Sequence, residues 1–157
     1  MIIKYSITIS MVKKYKGVPL KYLRGLTKKQ RDKKVRNIKK TKKLLKKNKK
    51  KLAIKVSKKR PLSKSKKKSS WTVQFREKYG DVKVPSKELE RRSGMDIRAQ
   101  RAIIRKGEGA FLSSGSRASV SSPKQWGLAR LYAVLMGSEG ARKADKKIIE
   151  KYKVPLK

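Results

Sequence analysis

Residues 107–137 read GEGAFLSSGSRASVSSPKQWGLARLYAVLMG, and this stretch sets the class of the fold. Ser122-Pro123-Lys124-Gln125 is a helix start. The Ser122 hydroxyl caps free N–H groups, Pro123 sits where its missing donor costs nothing, and Gln125 can bond back from the third position. Beyond it Trp126, Ala129, Ala133 and Met136 share one helical stripe, widened by Leu128, Leu131 and Leu135, and Gly137 fits the position just past the helix end. So wide an apolar arc has to be covered, which makes this helix part of a core. Trp126 is expected to lie buried against Phe75 or Trp71. Upstream, Gly107 and Gly109 precede Phe111-Leu112, and Ser113-Ser114-Gly115-Ser116-Arg117 follows. That loop has two readings: a tight connection between helices, or a turn of backbone N–H groups facing an anion beside Arg117.

Outward from this stretch the same helical signs recur. Ser69 or Ser70 caps a short helix in which Trp71, Phe75 and Tyr79 repeat every four residues up to Gly80. Pro85-Ser86 opens a second helix holding Leu89, and a third runs from Asp96 to Lys106, with Ile97, Ile103 and Ile104 inward and Gly107 as its end. Asp145 reads as the cap of a last helix carrying Ile148, Ile149 and Tyr152 and stopped at Val154-Pro155. The turn Ser93-Gly94-Met95 between two of these helices resembles a helix-turn-helix. Glu90 and Gln100 depart from that motif, which places a small residue at the first position and a branched apolar one at the second.

The other half of the chain is dominated by charge. The 157 residues carry a formal net charge of +39, and residues 1–70 hold 29 basic residues against 1 acidic one, a net +28. Residues 71–157 hold 20 against 9, a net +11. Such a polycation repels itself until a polyanion or an acidic surface neutralises it. The fold expected is mostly α: a small helical bundle at 69–157, preceded by a long extended and helical basic arm at 13–68 and a strand-like extension at 1–12.

Within the arm, residues 13–26 are broken by Gly17, Pro19 and Gly25. Thr27 and Gln30 open a helix over 28–47 with a thin stripe of Val35, Ile38, Leu44 and Leu45, and residues 49–68 read as a linker with a brief alternation at Leu52, Ile54 and Val56. Leu20, Tyr22, Leu23, Leu44 and Leu45 are the candidate anchors on a partner protein. Lys39, Lys40, Lys42, Lys43, Lys46, Lys47, Lys49, Lys50, Lys51 and Arg117 are the candidate polyanion contacts.

With no cysteine and no histidine, the chain lacks disulfides, thiolate chemistry, cysteine and histidine zinc ligands and the usual general base. It reads as non-enzymatic, without metal or cofactor. The apolar N-terminal run is too short to span a bilayer and lacks a signal-peptide cleavage pattern.

Three elements together, KKYKGVPLKYLRGLTKKQR, SSWTVQFREKYG and GEGAFLSSGSR followed by QWGLARL, resemble a family of small lysine-rich proteins encoded by large icosahedral DNA viruses of algae and amoebae. The paired elements SSGSR and WGLAR, in that order and distance, are specific to it, and the family-like motif comprises Gly107, Gly109, Ser113, Ser114, Gly115, Ser116 and Arg117, then Trp126, Gly127, Ala129 and Arg130. The resemblance implies a virion or virus-factory location and no catalytic role. The expected function is that of a minor capsid component stapling capsomers through the basic arm, with the major capsid protein and other minor capsid proteins as partners. The alternative is a virion protein that condenses double-stranded DNA by charge neutralisation; the inner membrane surface is a third candidate partner.

Overall fold

The computed structural model describes residues 15, 17–64 and 69–156, which fall into two units. Every regular element among them is helical, so the fold is mostly α. The strand-like reading of residues 1–12 lies outside the described residues. Of the described residues, one unit comprises those up to Lys64 together with 112–121; the other comprises 69–111 and 122–156.

In the first unit, α1 (Lys28–Lys46) begins with a complete capping box. Thr27 Oγ1 accepts from the Gln30 N–H, and Gln30 Oε1 accepts from the Thr27 N–H at 3.0 Å. Its thin apolar stripe is covered from within. A 3-10 turn at Leu20–Tyr22 folds the preceding peptide back, so that Tyr15, Val18 and Leu23 are buried with Val35 and Ile38, and Leu20 and Tyr22 pack against them. Each such side chain contributes about 1.5–3 kcal/mol when fully buried, more than the few tenths lost to each lysine repulsion along the helix. This corrects the arm expected over 13–68: its described residues form a folded unit with its own core.

Helix α2 (Lys50–Ser57) replaces the expected linker. Leu52, Ile54 and Val56 alternate like a strand, yet α2 buries Ala53 and Ser57, one turn apart. These small side chains allow a close approach to α1, where Asn37 Nδ2 donates to the Val56 carbonyl at 2.7 Å. Residues 112–121 complete the unit. The Ser63 N–H donates to the Ala118 carbonyl at 3.0 Å, and Gly115 (φ +88°) lies so near Ile38 that a Cβ would come within 2.7 Å of its Cδ1.

The second unit contains α3 (Ser70–Tyr79), α4 (Lys87–Ser93), α5 (Ile97–Ser114, whose last three residues belong to the first unit), α6 (Pro123–Leu135) and α7 (Glu139–Lys151). Ser69, Ser86, Ser122 and Ser138 each cap a helix by accepting from the N–H three residues on. Phe75, Leu89, Met95, Ala99, Ile103, Leu131 and Val134 form the centre, with the Phe75 ring stacked on Tyr132 at 4.1 Å. Gly137 (φ +90°) closes α6 as the sequence predicts, and the Ser138 N–H reaches the Ala133 carbonyl at 2.9 Å.

Three expectations are corrected here. Helix α5 does not stop at Gly107. It continues through Gly109 to Ser114, because Gly107 is where α6 crosses: a Cβ there would sit 2.7 Å from the Gly127 Cα. Trp126 is only half-buried, and Gly127 takes the inward position beside it. Asp145 is not a cap; Ser138 caps α7, and Asp145 lies mid-helix with no exposed surface.

Candidate functional site

Helix α1 ends in cations, and the turn into α2 continues them. Lys39, Lys40, Lys42, Lys43, Lys46, Lys47, Lys49, Lys50 and Lys51 are all exposed. Asp32 is the only acidic residue between positions 28 and 60. Among the described residues none of these lysines has a carboxylate partner, whereas Lys87, Arg91, Arg92, Arg98, Lys106, Arg130 and Lys146 of the second unit all do. Cations near a helix C-terminus are favoured by its dipole, which offsets part of their mutual repulsion. The result is a cationic face with spare charge.

Beneath that face lie two further cations that the sequence reading missed. Lys34 has no exposed surface, and its ammonium has no hydrogen-bond partner among the described residues. Arg60 is buried too, but it is solvated by neutral acceptors: Nε donates to Asn37 Oδ1 at 3.0 Å, and Nη2 donates to Thr41 Oγ1 at 2.8 Å and to the Leu112 carbonyl at 3.3 Å. Burial, and then the charge of Arg60, pull the Lys34 ammonium down to about 8; burial pulls the Arg60 guanidinium down to about 10. The signal for Lys34 was present in the sequence. It stands four residues before Ile38 and seven before Thr41, on the inward stripe of α1.

The residues singled out from the sequence have distinct fates. Leu20, Tyr22 and Leu23, expected as anchors on another protein, pack within their own unit, and Leu44 and Leu45 are half-buried. The stretch expected as a loop begins inside α5, whose last residues are half-buried Ser113 and exposed Ser114; beyond it Gly115 and Ser116 are buried, Arg117 is exposed, and the Arg117 carbonyl accepts from the Val120 N–H. Gly107 and Gly127 make the α5–α6 crossing, Gly109 is exposed with open space where a Cβ would stand, and Ala129 is half-buried. Arg130 grips Asp145 with both arms, Nε to Oδ2 at 2.7 Å and Nη2 to Oδ1 at 2.9 Å, while Lys106 Nζ stands 3.2 Å from Oδ1. Within these motif elements Gly107, Gly115 and Gly127 allow close packing and Arg130 forms an ion pair.

Among the described residues no cluster of acidic side chains could hold a metal ion, and no helix is long and apolar enough to cross a membrane.

Residues 19–151 match a family described as a family of unknown function (DUF5824). No curated protein and no solved structure matches the chain.

Proposed function

We propose, for a chain that belongs to the DUF5824 family, the role of a non-enzymatic structural protein of a virus particle that binds double-stranded DNA through the lysine face of α1 and α2. The observation that carries this reading is the unpaired run from Lys39 to Lys51, exposed on a folded support. Lysines without carboxylate partners release counterions from the phosphate backbone, which supplies sequence-independent affinity. Lysine also suits diffuse neutralisation better than bidentate base recognition. The viral setting rests on the resemblance of the three sequence elements.

The capsid-staple reading stands second. Its strongest anchors, Tyr22 and Leu23, are occupied internally, but Leu52 and Leu62 are 44% and 45% exposed and offer apolar contacts to a neighbouring capsid protein.

The test is the salt dependence of DNA affinity for the full chain. Each phosphate neutralised adds about −0.9 to the slope of log K against log salt. Replacing Lys42, Lys46 and Lys50 by glutamine should flatten the slope by roughly 2–3 units, whatever the DNA sequence. An unchanged slope overturns the DNA reading. Loss of particle incorporation in a Leu52→Ser, Leu62→Ser variant with normal DNA binding would favour the staple.

A further inference from the structure

The helix pair α4–α5 has the internal chemistry of a DNA-reading helix-turn-helix. Leu89, Met95 and Ile103 have no exposed surface, and Gly94 (φ +73°) turns the chain between the helices in the left-handed region. The two residues that depart from the motif in sequence bond to the turn or its ends. Gln100, also fully buried, donates from Nε2 to the Met95 carbonyl at 2.9 Å and to the Ser86 carbonyl at 3.2 Å, while Oε1 accepts from the Ser86 N–H at 3.0 Å. It joins the start of α4 to the turn, a task a branched apolar side chain cannot perform. Glu90 Oε2 accepts from the Ile97 N–H at 3.2 Å and so caps the first turn of α5. A buried polar group with its bonds made holds one geometry, because losing any bond would leave a desolvated donor or acceptor.

That geometry presents an arginine stripe. Arg98, Arg101 and Arg105 are exposed on α5 at helical spacing. Arg98 is committed: its guanidinium pairs with Asp96, Nη2 to Oδ2 at 2.8 Å. Arg101 and Arg105 have no carboxylate partner among the described residues, and one turn of helix separates them. Guanidinium forks at this spacing match guanine edges in a major groove, where the O6 and N7 acceptors take a bidentate arginine.

We infer that α5 is a recognition helix, and that Arg101 and Arg105 read guanines in the major groove of double-stranded DNA. Four residues of helix rise about 6 Å, close to two base-pair steps, so the two guanines should lie about two base pairs apart. This selectivity shares its partner with the function proposed above but uses other residues, in the other unit.

Selection of random-sequence duplexes on the full chain tests it. The enriched pool should carry the spaced guanines, and Arg101→Ala or Arg105→Ala should each weaken the selected duplex by roughly 5- to 150-fold. The unfolding midpoint should stay unchanged, because both side chains are exposed, and affinity for an unrelated duplex should fall much less than affinity for the selected one. Arg105→Lys keeps the charge but not the fork, and should leave the preference weakened. A pool with no bias, or a bias that survives in the double alanine variant, overturns the inference. Either result leaves the lysine face untouched if the steep salt slope persists; conversely, glutamines at Lys42, Lys46 and Lys50 should lower total affinity while leaving the base preference intact.

Discussion

The two units treat charge in opposite ways. In the second, buried Asp145 has Arg130 and Lys106 beside it, and the surface carboxylates Glu88, Glu90, Asp96 and Glu150 each hold a cation. In the first, the exposed lysines from Lys39 to Lys51 have no carboxylate partner among the described residues, and beneath them Lys34 is buried near the like charge of Arg60, whose guanidinium donates to Asn37, Thr41 and the Leu112 carbonyl. A unit whose carboxylates each hold a cation lowers its own repulsion, whereas one with a dense run of unpaired lysines gains more when an anion approaches. The first unit holds the greater share of unpaired charge and so the stronger electrostatic reason to bind; the second keeps a smaller one in Arg101 and Arg105.

The largest effect should come from breaking the balance of the second unit. Asp145→Ala leaves Arg130, mostly enclosed, without its partner, and should destabilise by about 3–5 kcal/mol in thermal or urea unfolding of the full chain. A midpoint that barely moves would mean that Asp145 is dispensable and that the units do not differ in this way.

The converse holds for Lys34. Replacing it with methionine removes an unpartnered buried charge at nearly constant volume. The variant should be more stable than the parent by about 2–3 kcal/mol at pH 7. The pH dependence fixes the cause. With a folded-state value of about 8 against 10.5 in the unfolded chain, the unfolded chain holds more protons between those limits. Parent stability contributed by this group therefore rises with pH across that window, and the advantage of Lys34→Met fades over the same range. An advantage independent of pH would point to packing instead of charge.

At the α5–α6 crossing the contrast lies between two glycines. A Cβ on Gly127 would stand 2.7 Å from the Ile104 carbonyl oxygen, a backbone atom that cannot move aside cheaply, while one on Gly109 meets nothing within 4 Å. Gly127→Ala should cost about 1–2 kcal/mol, the clash outweighing the gain in helix propensity, and Gly109→Ala should gain up to about 1 kcal/mol. Urea unfolding of the two variants checks both signs.

These sites also mark how far the sequence could be read. Serine caps are local, so the starts of α3, α4 and α6 were legible from Ser69, Ser86 and Ser122, and the capping box of α1 from Thr27 and Gln30. Gly107 misled because glycine serves two ends: it stops helices, and it lets them cross. Its partner Gly127 lies twenty residues away, beyond any local window. Helix α2 was missed because its inward residues, Ala53 and Ser57, carry almost no hydrophobic signal. The core of the first unit depends on residues 112–121 packing with a peptide some seventy positions earlier, as in the bond between Thr41 Oγ1 and the Leu112 carbonyl at 2.9 Å. Read locally, that peptide looked like an arm. Lys34 was hidden by its chemistry, since one lysine among many reads as solvated surface.

The smallest effect is the one that separates the units most cleanly, because only its sign matters. Lys42 has Lys39 three residues before it and Lys46 four after, all exposed. Lys87 has Glu90 at 3.1 Å. Lys42→Gln removes repulsion and should stabilise by a few tenths of a kcal/mol, whereas Lys87→Gln removes an exposed pair and should destabilise by a similar amount. Both changes should shrink toward zero as salt is raised, since charges this exposed are screened within about 10 Å at 0.1 M ionic strength. Paired unfolding curves at low and high salt read the signs directly. If Lys42→Gln destabilises at low salt, an acidic group must already neutralise the lysine face, and the charge excess assigned to the first unit would not be available to a partner.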